Sequence, residues 1–269
     1  GGARRNGPMK GRDLQKDIGI TFEEAVFGCK KTVSIDKYVK CDTCHGNGAA
    51  PGTSRKTCTK CNGRGVVTKV MNSAFGRIQQ SVECPDCGGS GYIIEKPCPD
   101  CRGNGKVKKL IKIEVNIPAG VDSGSIIPIK GQGEPGENGG PHGDLYVVLD
   151  VKKHPVFERE HENLFIEVPI TFEQAALGAE VTVPTLEEKI AYKVPAGTQS
   201  GTVFRMKGKG VQDIRARRKG DLYVKVVVEI PVKLSAAQKK AVEAMGKTLN
   251  DSCYKKTNSF ADKLKRFFS

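Results

Sequence analysis

The sequence predicts a mainly β protein. It reads as two homologous elongated β-domains in tandem, the first interrupted by a cysteine-rich module, with short C-terminal helices. Three observations carry this. Alternating or β-branched apolar segments recur along the chain, they recur twice in the same order, and eight of the ten cysteines fall in four copies of Cys-x-x-Cys-x-Gly-x-Gly within one window.

The repeat is explicit. The segment 19–28 (GITFEEAVFG) returns as 169–178 (PITFEQAALG), an offset of 150. The segment 117–124 (IPAGVDSG) returns as 194–201 (VPAGTQSG), and 143–147 (GDLYV) as 220–224, both at an offset of 77. The offset drops by 73 between them, so the first copy carries an insertion of about that size between Gly28 and Ile117. The CxxC pairs run from Cys41 to Cys101, inside that window. One β-unit therefore tolerates the module and the other does without it.

Taken in order, Phe22–Phe27 and Phe172–Leu177 read as one short helix per copy, stopped by Gly28 and Gly178. Phe22 and Phe172 are expected in the core of each copy. Thr32–Asp36 alternates, with Val33 and Ile35 on one face. Ile111–Ile117 alternates cleanly, its apolar residues opposite Lys112, Glu114 and Asn116. Asp144–Val151 and Asp221–Ile230 are long β-branched runs. The stretch 131–143 (GQGEPGENGGPHG) lacks the Gly-Lys-Ser/Thr ending of a phosphate loop and opens no helix, so a long flexible surface loop is expected. Ser235 caps a predicted helix over 235–245. A second helix is expected from Ser259, with Asp262 at capping-box spacing. Its Phe260, Leu264, Phe267 and Phe268 form an apolar stripe at i, i+4, i+7 and i+8. So short a helix needs a docking surface, on its own domain or across a dimer.

The four knuckles are Cys41–Gly48, Cys58–Gly65, Cys84–Gly91 and Cys98–Gly105. Tetrahedral zinc takes four soft ligands with sulfur at about 2.3 Å. A CxxC turn places two sulfurs on one ion, and the following glycines let the chain turn back so that backbone N–H groups meet the thiolates. Four knuckles make two closed sites, hence two structural Zn2+ per chain. Such binding is worth roughly 10–16 kcal/mol in finger peptides, so the insert should be unfolded without metal. His45 has Asn62, Gly88 and Arg102 at its matching positions and reads as a bystander. A hairpin folding back would pair knuckle one with four (Cys41, Cys44, Cys98, Cys101) and two with three (Cys58, Cys61, Cys84, Cys87). Sequential pairing would make two separate fingers.

Composition bounds the rest. The chain has 269 residues, 32 Gly, no Trp and a formal charge of +14. Eight thiolates and two Zn2+ would lower that by four, to about +10. The remaining charge is scattered, which reads as a solvated basic surface without a dedicated nucleic-acid site. No run is long and apolar enough to span a bilayer, and the opening GGARR has no apolar stretch after its charges. CxxC pairs in a long chain of this kind favour metal in a reducing compartment over disulfides. Cys29 and Cys253 stand alone and read as inert thiols.

Four CxxCxGxG knuckles inserted in the first of two related β-domains resemble the DnaJ family of co-chaperones, the type with a zinc domain. The Ile-Pro-Ala-Gly-Val turn, the Gly-Asp-Leu-Tyr strands and the tail Lys-Leu-Lys-Arg-Phe-Phe extend the resemblance over nearly the whole chain. The family begins with a J-domain carrying His-Pro-Asp, and here the one His-Pro is His154-Pro155, followed by Val156. The expectation is a fragment lacking that domain and its stimulation of DnaK. The resemblance implies a cytoplasmic, non-enzymatic co-chaperone that binds unfolded polypeptide clients, prevents their aggregation and delivers them to DnaK, with the nucleotide exchange factor GrpE involved indirectly. It implies no membrane partner. It also implies a homodimer held through the C-terminal segment. Matched strand by strand, the client pocket falls at Leu14, Val33, Ile35, Ile113 and Val147. The other reading of these residues is plain core. The distal site (Cys58, Cys61, Cys84, Cys87) would assist hand-over. The implied domains are 1–13, the end of a Gly-rich linker; 14–40 with 106–157, the first β-domain; 41–105, the zinc module; 158–233, the second β-domain; and 234–269, the dimerisation segment.

Two other classes compete. A thiol-disulfide oxidoreductase would need free CxxC thiolates, which zinc would lock. A zinc-ribbon nucleic-acid binder would interleave aromatics with basic residues, and the insert has only Phe75 and Tyr92.

Overall fold

The computed structural model describes residues 7–73, 76–214, 216 and 218–268. The opening GGARR and Phe75 lie outside the described residues. The chain divides into two compact units, Gly1–Ile166 with Met206–Tyr223, and Glu167–Arg205 with Val224–Ser269.

In the first unit, β1 (Leu14–Ile20) leads into α1 (Phe22–Phe27) and β2 (Cys29–Lys40). Thr21 caps α1 with a reciprocal box to Glu24. After the cysteine module come β7 (Lys106–Ile117), β8 (Ile126–Ile129) and β9 (Leu145–Val151). β1, β9 and β8 form one sheet, with β1 parallel to β9 and β8 antiparallel to it. β2 and β7 form a separate antiparallel ribbon, in register from Cys29↔Ile117 to Lys40↔Lys106. Sheet and ribbon enclose one core that includes Ile20, Val33, Ile35, Val115, Ile117 and Leu149. Beyond Ile35 the ribbon runs out of the core: Tyr38 and Leu110 are exposed. That projecting end carries the module.

The module's strands are short and nested. β3 (Lys56–Thr57) pairs with β6 (Tyr92–Ile93), and between them β4 (Val66–Ser73) and β5 (Gly76–Glu83) form a long hairpin.

The second unit repeats the pattern without the insert. α2 (Phe172–Leu177) carries the same capping box, Thr171 with Gln174. β12 (Ala179–Pro184) pairs with β13 (Lys189–Val194) starting at Ala179↔Val194. Those two residues are Cys29 and Ile117 displaced by 150 and 77, so the two sequence offsets meet in one backbone pair. β12 stops after six residues where β2 runs for twelve. Residues 158–229 also form a four-stranded sheet, in the order β10 (Glu158–Glu160), β11 (Asn163–Thr171), β15 (Leu222–Glu229), β14 (Val203–Met206), whose strands are drawn from both units.

Three local expectations need correction. Phe22 is buried against Phe157 and His154, with ring centroids 6.1 and 5.2 Å away. Phe172, its repeat partner, is 45% exposed, so the matched position is core in one copy only. The last helix, α4 (Lys255–Phe268), starts four residues before Ser259, just after a 3-10 turn at Asp251–Cys253, so Ser259 is no cap. Residues 131–143 are not a free loop but are bonded to the chain ahead of β1, as described below. The helix α3 (Ala236–Thr248) begins at its expected cap, Ser235. No helix among the described residues is long and apolar enough to cross a membrane.

Candidate metal centres

The cysteines gather as two sets of four: Cys41, Cys44, Cys98 and Cys101, and Cys58, Cys61, Cys84 and Cys87. Knuckle one faces four and two faces three, as the fold-back reading expects and sequential pairing does not. The nested ladder imposes this. Lys40↔Lys106 at the root brings the outer knuckles together, and Val66↔Glu83 at the base of the β4–β5 hairpin brings the inner ones together.

Each site is built from two reciprocal halves. The N–H of Cys41 donates to the carbonyl of Gly105, and that of Cys98 to Gly48, both at 2.9 Å. The inner site repeats this with Cys58 to Gly91 and Cys84 to Gly65, again at 2.9 Å. Within each knuckle the final glycine N–H points at the second sulfur: Gly48 to Cys44 at 3.3 Å, Gly65 to Cys61 at 3.3 Å, Gly91 to Cys87 at 3.3 Å and Gly105 to Cys101 at 3.2 Å. The turn needs a left-handed backbone after the second cysteine. His45, Asn62, Gly88 and Arg102 all adopt it, with φ of 52°, 49°, 56° and 53°. His45 therefore occupies a turn position common to all four knuckles, and its imidazole is not among the clustered ligand atoms.

The sulfur spacing fits a tetrahedral ion. A metal with sulfur at about 2.3 Å requires sulfurs about 3.8 Å apart. The structure has Cys41–Cys98 at 3.8 Å, Cys44–Cys101 at 3.6 Å, Cys58–Cys84 at 3.8 Å and Cys61–Cys87 at 3.7 Å. All four sulfurs of each set lie within 4.8 Å of one another, close enough to share one cation, and all eight cysteines are free thiols rather than disulfides. The electrostatics divide the thiols. Burial opposes ionisation of Cys44, but the N–H groups of Gly48 and Gly46 and the neighbouring thiols bring its pKa down to about 7. Cys87 is likewise opposed by burial, yet Gly91 and the thiols of Cys61 and Cys84 bring it to about 7. Burial instead pushes Cys101 up to about 11. Donors aimed at sulfur favour the thiolate, which is the form that binds metal. The two cysteine sets can each hold a metal ion.

Contacts between the middle residues of facing knuckles were not legible in the motif. Thr43 hydrogen-bonds Asp100, and Lys60 pairs with Asp86 at 2.7 Å. Their one sequence signal is the polar character of the CxxC interior.

With this geometry in view, comparison with known proteins is decisive. The family model for the DnaJ C terminal domain matches residues 14–231. The chain belongs to the DnaJ family. It is 51% identical over 270 residues to a chaperone protein DnaJ of Macrococcus caseolyticus, covering all of this chain and 73% of that protein. It is 48% identical to one of Staphylococcus epidermidis with the same coverage, and 49% identical to one of Clostridium novyi, with 98% of this chain and 71% of that protein aligned. These relatives are named as chaperones and not as enzymes.

The other residues singled out by resemblance to DnaJ proteins lie as follows. Val33, Ile35, Ile113 and Val147 are buried in the core of the first unit, with Val33 directly opposite Ile113. Leu14 is half-buried against the same core, at the start of β1. Phe260, Leu264, Phe267 and Phe268 lie on α4 and are exposed, the last two at 81% and 80%.

Proposed function

We propose that this DnaJ-family chaperone binds unfolded polypeptides by strand addition beside the core of its first β-domain, prevents their aggregation and passes them to DnaK in the cytoplasm. One observation carries the reading. Among the described residues β2 has a single strand neighbour, β7, so its other edge is an open row of backbone donors and acceptors. β2 supplies Val33 and Ile35 to the apolar core set that also holds Leu14, Ile113 and Val147, with the half-buried Ile18, Ile111 and Ile127 packed against it. An extended client can pair with the edge while its alternate side chains reach that set.

Each four-cysteine set would hold one Zn2+, giving two per chain. All four positions of each ion would be filled by sulfur, so the metal supplies structure rather than a site for substrate. The distal set beside the β4–β5 hairpin would serve hand-over. The bare apolar stripe of α4 supports a homodimer formed through 234–269, and 14–40 with 106–157, 41–105 and 158–233 would act as client domain, zinc module and second β-domain. The test is a complex with an unfolded Leu-rich peptide labelled for NMR or crosslinking. Contacts along β2 are expected; contacts confined to the zinc module would overturn the reading.

A further inference from the structure

The segment ahead of β1 is held by the loop 131–143 through a backbone-to-backbone seam. Met9 and Glu137 exchange both N–H···O bonds, at 3.0 and 2.9 Å. Gly11 donates to Pro141 at 2.9 Å and Glu134 to Arg12 at 3.0 Å. Arg12 and Glu134 also pair through their side chains at 3.0 Å, and Lys10 reaches Asp144 at 2.9 Å. At three glycines the two backbones meet with no side chain between them. A Cβ on Gly140 would overlap the Met9 carbonyl, one on Gly143 the Arg12 carbonyl, and one on Gly11 the Glu134 carbonyl.

The same loop touches two other elements. Lys37 of β2, 6% exposed, donates to the Gln132 carbonyl at 2.8 Å, to the Gln132 side-chain oxygen at 3.2 Å and to the Gly133 carbonyl at 3.3 Å. Lys106 donates to the Pro135 carbonyl at 3.3 Å and lies 3.5 Å from Glu137. Lys106 directly follows Gly105, whose carbonyl accepts from Cys41 and whose N–H meets Cys101. A continuous path therefore runs from the proximal cysteine set through Gly105 and Lys106 to the loop, and through Glu137 to Met9.

We propose that the loop 131–143 is a latch that ties the chain entering β1 to the root of the proximal metal site, so that loosening that site releases residues 7–13. The latch is poised rather than permanent. Closing it strips water from the Lys37 ammonium, and burial lowers its pKa. Opening gives up three hydrogen bonds from Lys37 but restores the hydration of its cation, so the two nearly balance and opening costs less than breaking a core. The path rests on the metal reading only for what drives release.

Hydrogen exchange read by mass spectrometry tests this on the whole chain, with metal content measured in parallel. Cys41→Ser with Cys98→Ser is expected to lower protection at the amides of Met9, Gly11 and Glu137 at least about tenfold, while Cys58→Ser with Cys84→Ser leaves them unchanged. Lys106→Met keeps every cysteine and is expected to release the same amides with metal content unaltered, which separates failure of the latch from failure of the metal reading. Gly140→Ala is expected to open the seam with both sites loaded. Unchanged protection at 7–13 in Lys106→Met, or equal loss in the proximal and distal variants, would overturn the coupling.

Discussion

Cys41 and Cys98, fifty-seven positions apart, hold each other's knuckle: each donates its N–H to the closing glycine of the other, and their sulfurs lie 3.8 Å apart. The relation is symmetric, so neither half can keep its geometry alone. Cys41→Ser and Cys98→Ser are therefore expected to lose the same ion, and the double variant to lose one zinc and keep the other. Native mass spectrometry counts the ions. Loss of two in the double variant would mean that the knuckles pair sequentially in solution.

Metal removal follows from where the apolar contacts are. The module's own clusters consist of the cysteines, with Val107 beside one set and Val67 beside the other. Among the described residues of the module the other buried apolar side chain is the small Ala49, whereas the β-core draws on β1, α1, β2, β7, Val121 and β9. Chelation is expected to unfold 41–105 and leave both β-units cooperative, because binding worth roughly 10–16 kcal/mol is most of what such a module has. Circular dichroism melts with and without chelator check this. Disappearance of the β-sheet transition would count against separate cores.

The architecture was legible in the sequence because it is written as repetition. Two offsets located the insertion, and the same two offsets reappear as the backbone pairs Cys29–Ile117 and Ala179–Val194. The cysteine sets were legible because a site that can hold a metal ion constrains both residue type and spacing. What escaped were contacts that leave no periodic mark. The glycines of 131–143 signal close backbone approach as readily as freedom, and only the partner segment 9–12, more than a hundred residues upstream, decides between them. Phe172 failed for a related reason: its copy-one partner Phe22 is buried by His154 and Phe157, which lie outside the repeated segment.

Assembly is tested at α4. Burying a side chain such as Phe267 or Phe268 contributes about 1.5–3 kcal/mol, so a stripe left at 81% and 80% exposure is a strong reason for a second surface. Removing residues 250–269 is expected to convert a dimer into a monomer whose β-units melt as before. Phe267→Ser with Phe268→Ser should weaken the dimer without shortening the chain. Sedimentation equilibrium measures both, and an unchanged mass in the truncated chain would rule out this dimer contact.

Client binding needs a substitution that does not unfold the domain. Val33 is 3% exposed and Val147 fully buried, so a carboxylate at either would cost several kcal/mol as an unpaired buried charge and lower affinity through unfolding alone. Leu14 is different. It is half-buried at the start of β1, opposite Leu145, and packs on the core from its edge. Leu14→Ser removes apolar surface there at a smaller cost to the fold. If the open edge of β2 and the neighbouring apolar set receive clients, an unfolded Leu-rich peptide should lose about tenfold in affinity, which is ~1.4 kcal/mol. The melting temperature should move by only a few degrees, about what a sub-kcal/mol change produces in a domain of this size. Zinc content should stay at two. Fluorescence anisotropy of the labelled peptide and a thermal melt, made on the same preparation, give both numbers. A folded Leu14→Ser protein that binds the peptide as tightly as the parent would remove Leu14 from the site, and with Ile111→Ser behaving the same way the client surface would have to lie elsewhere.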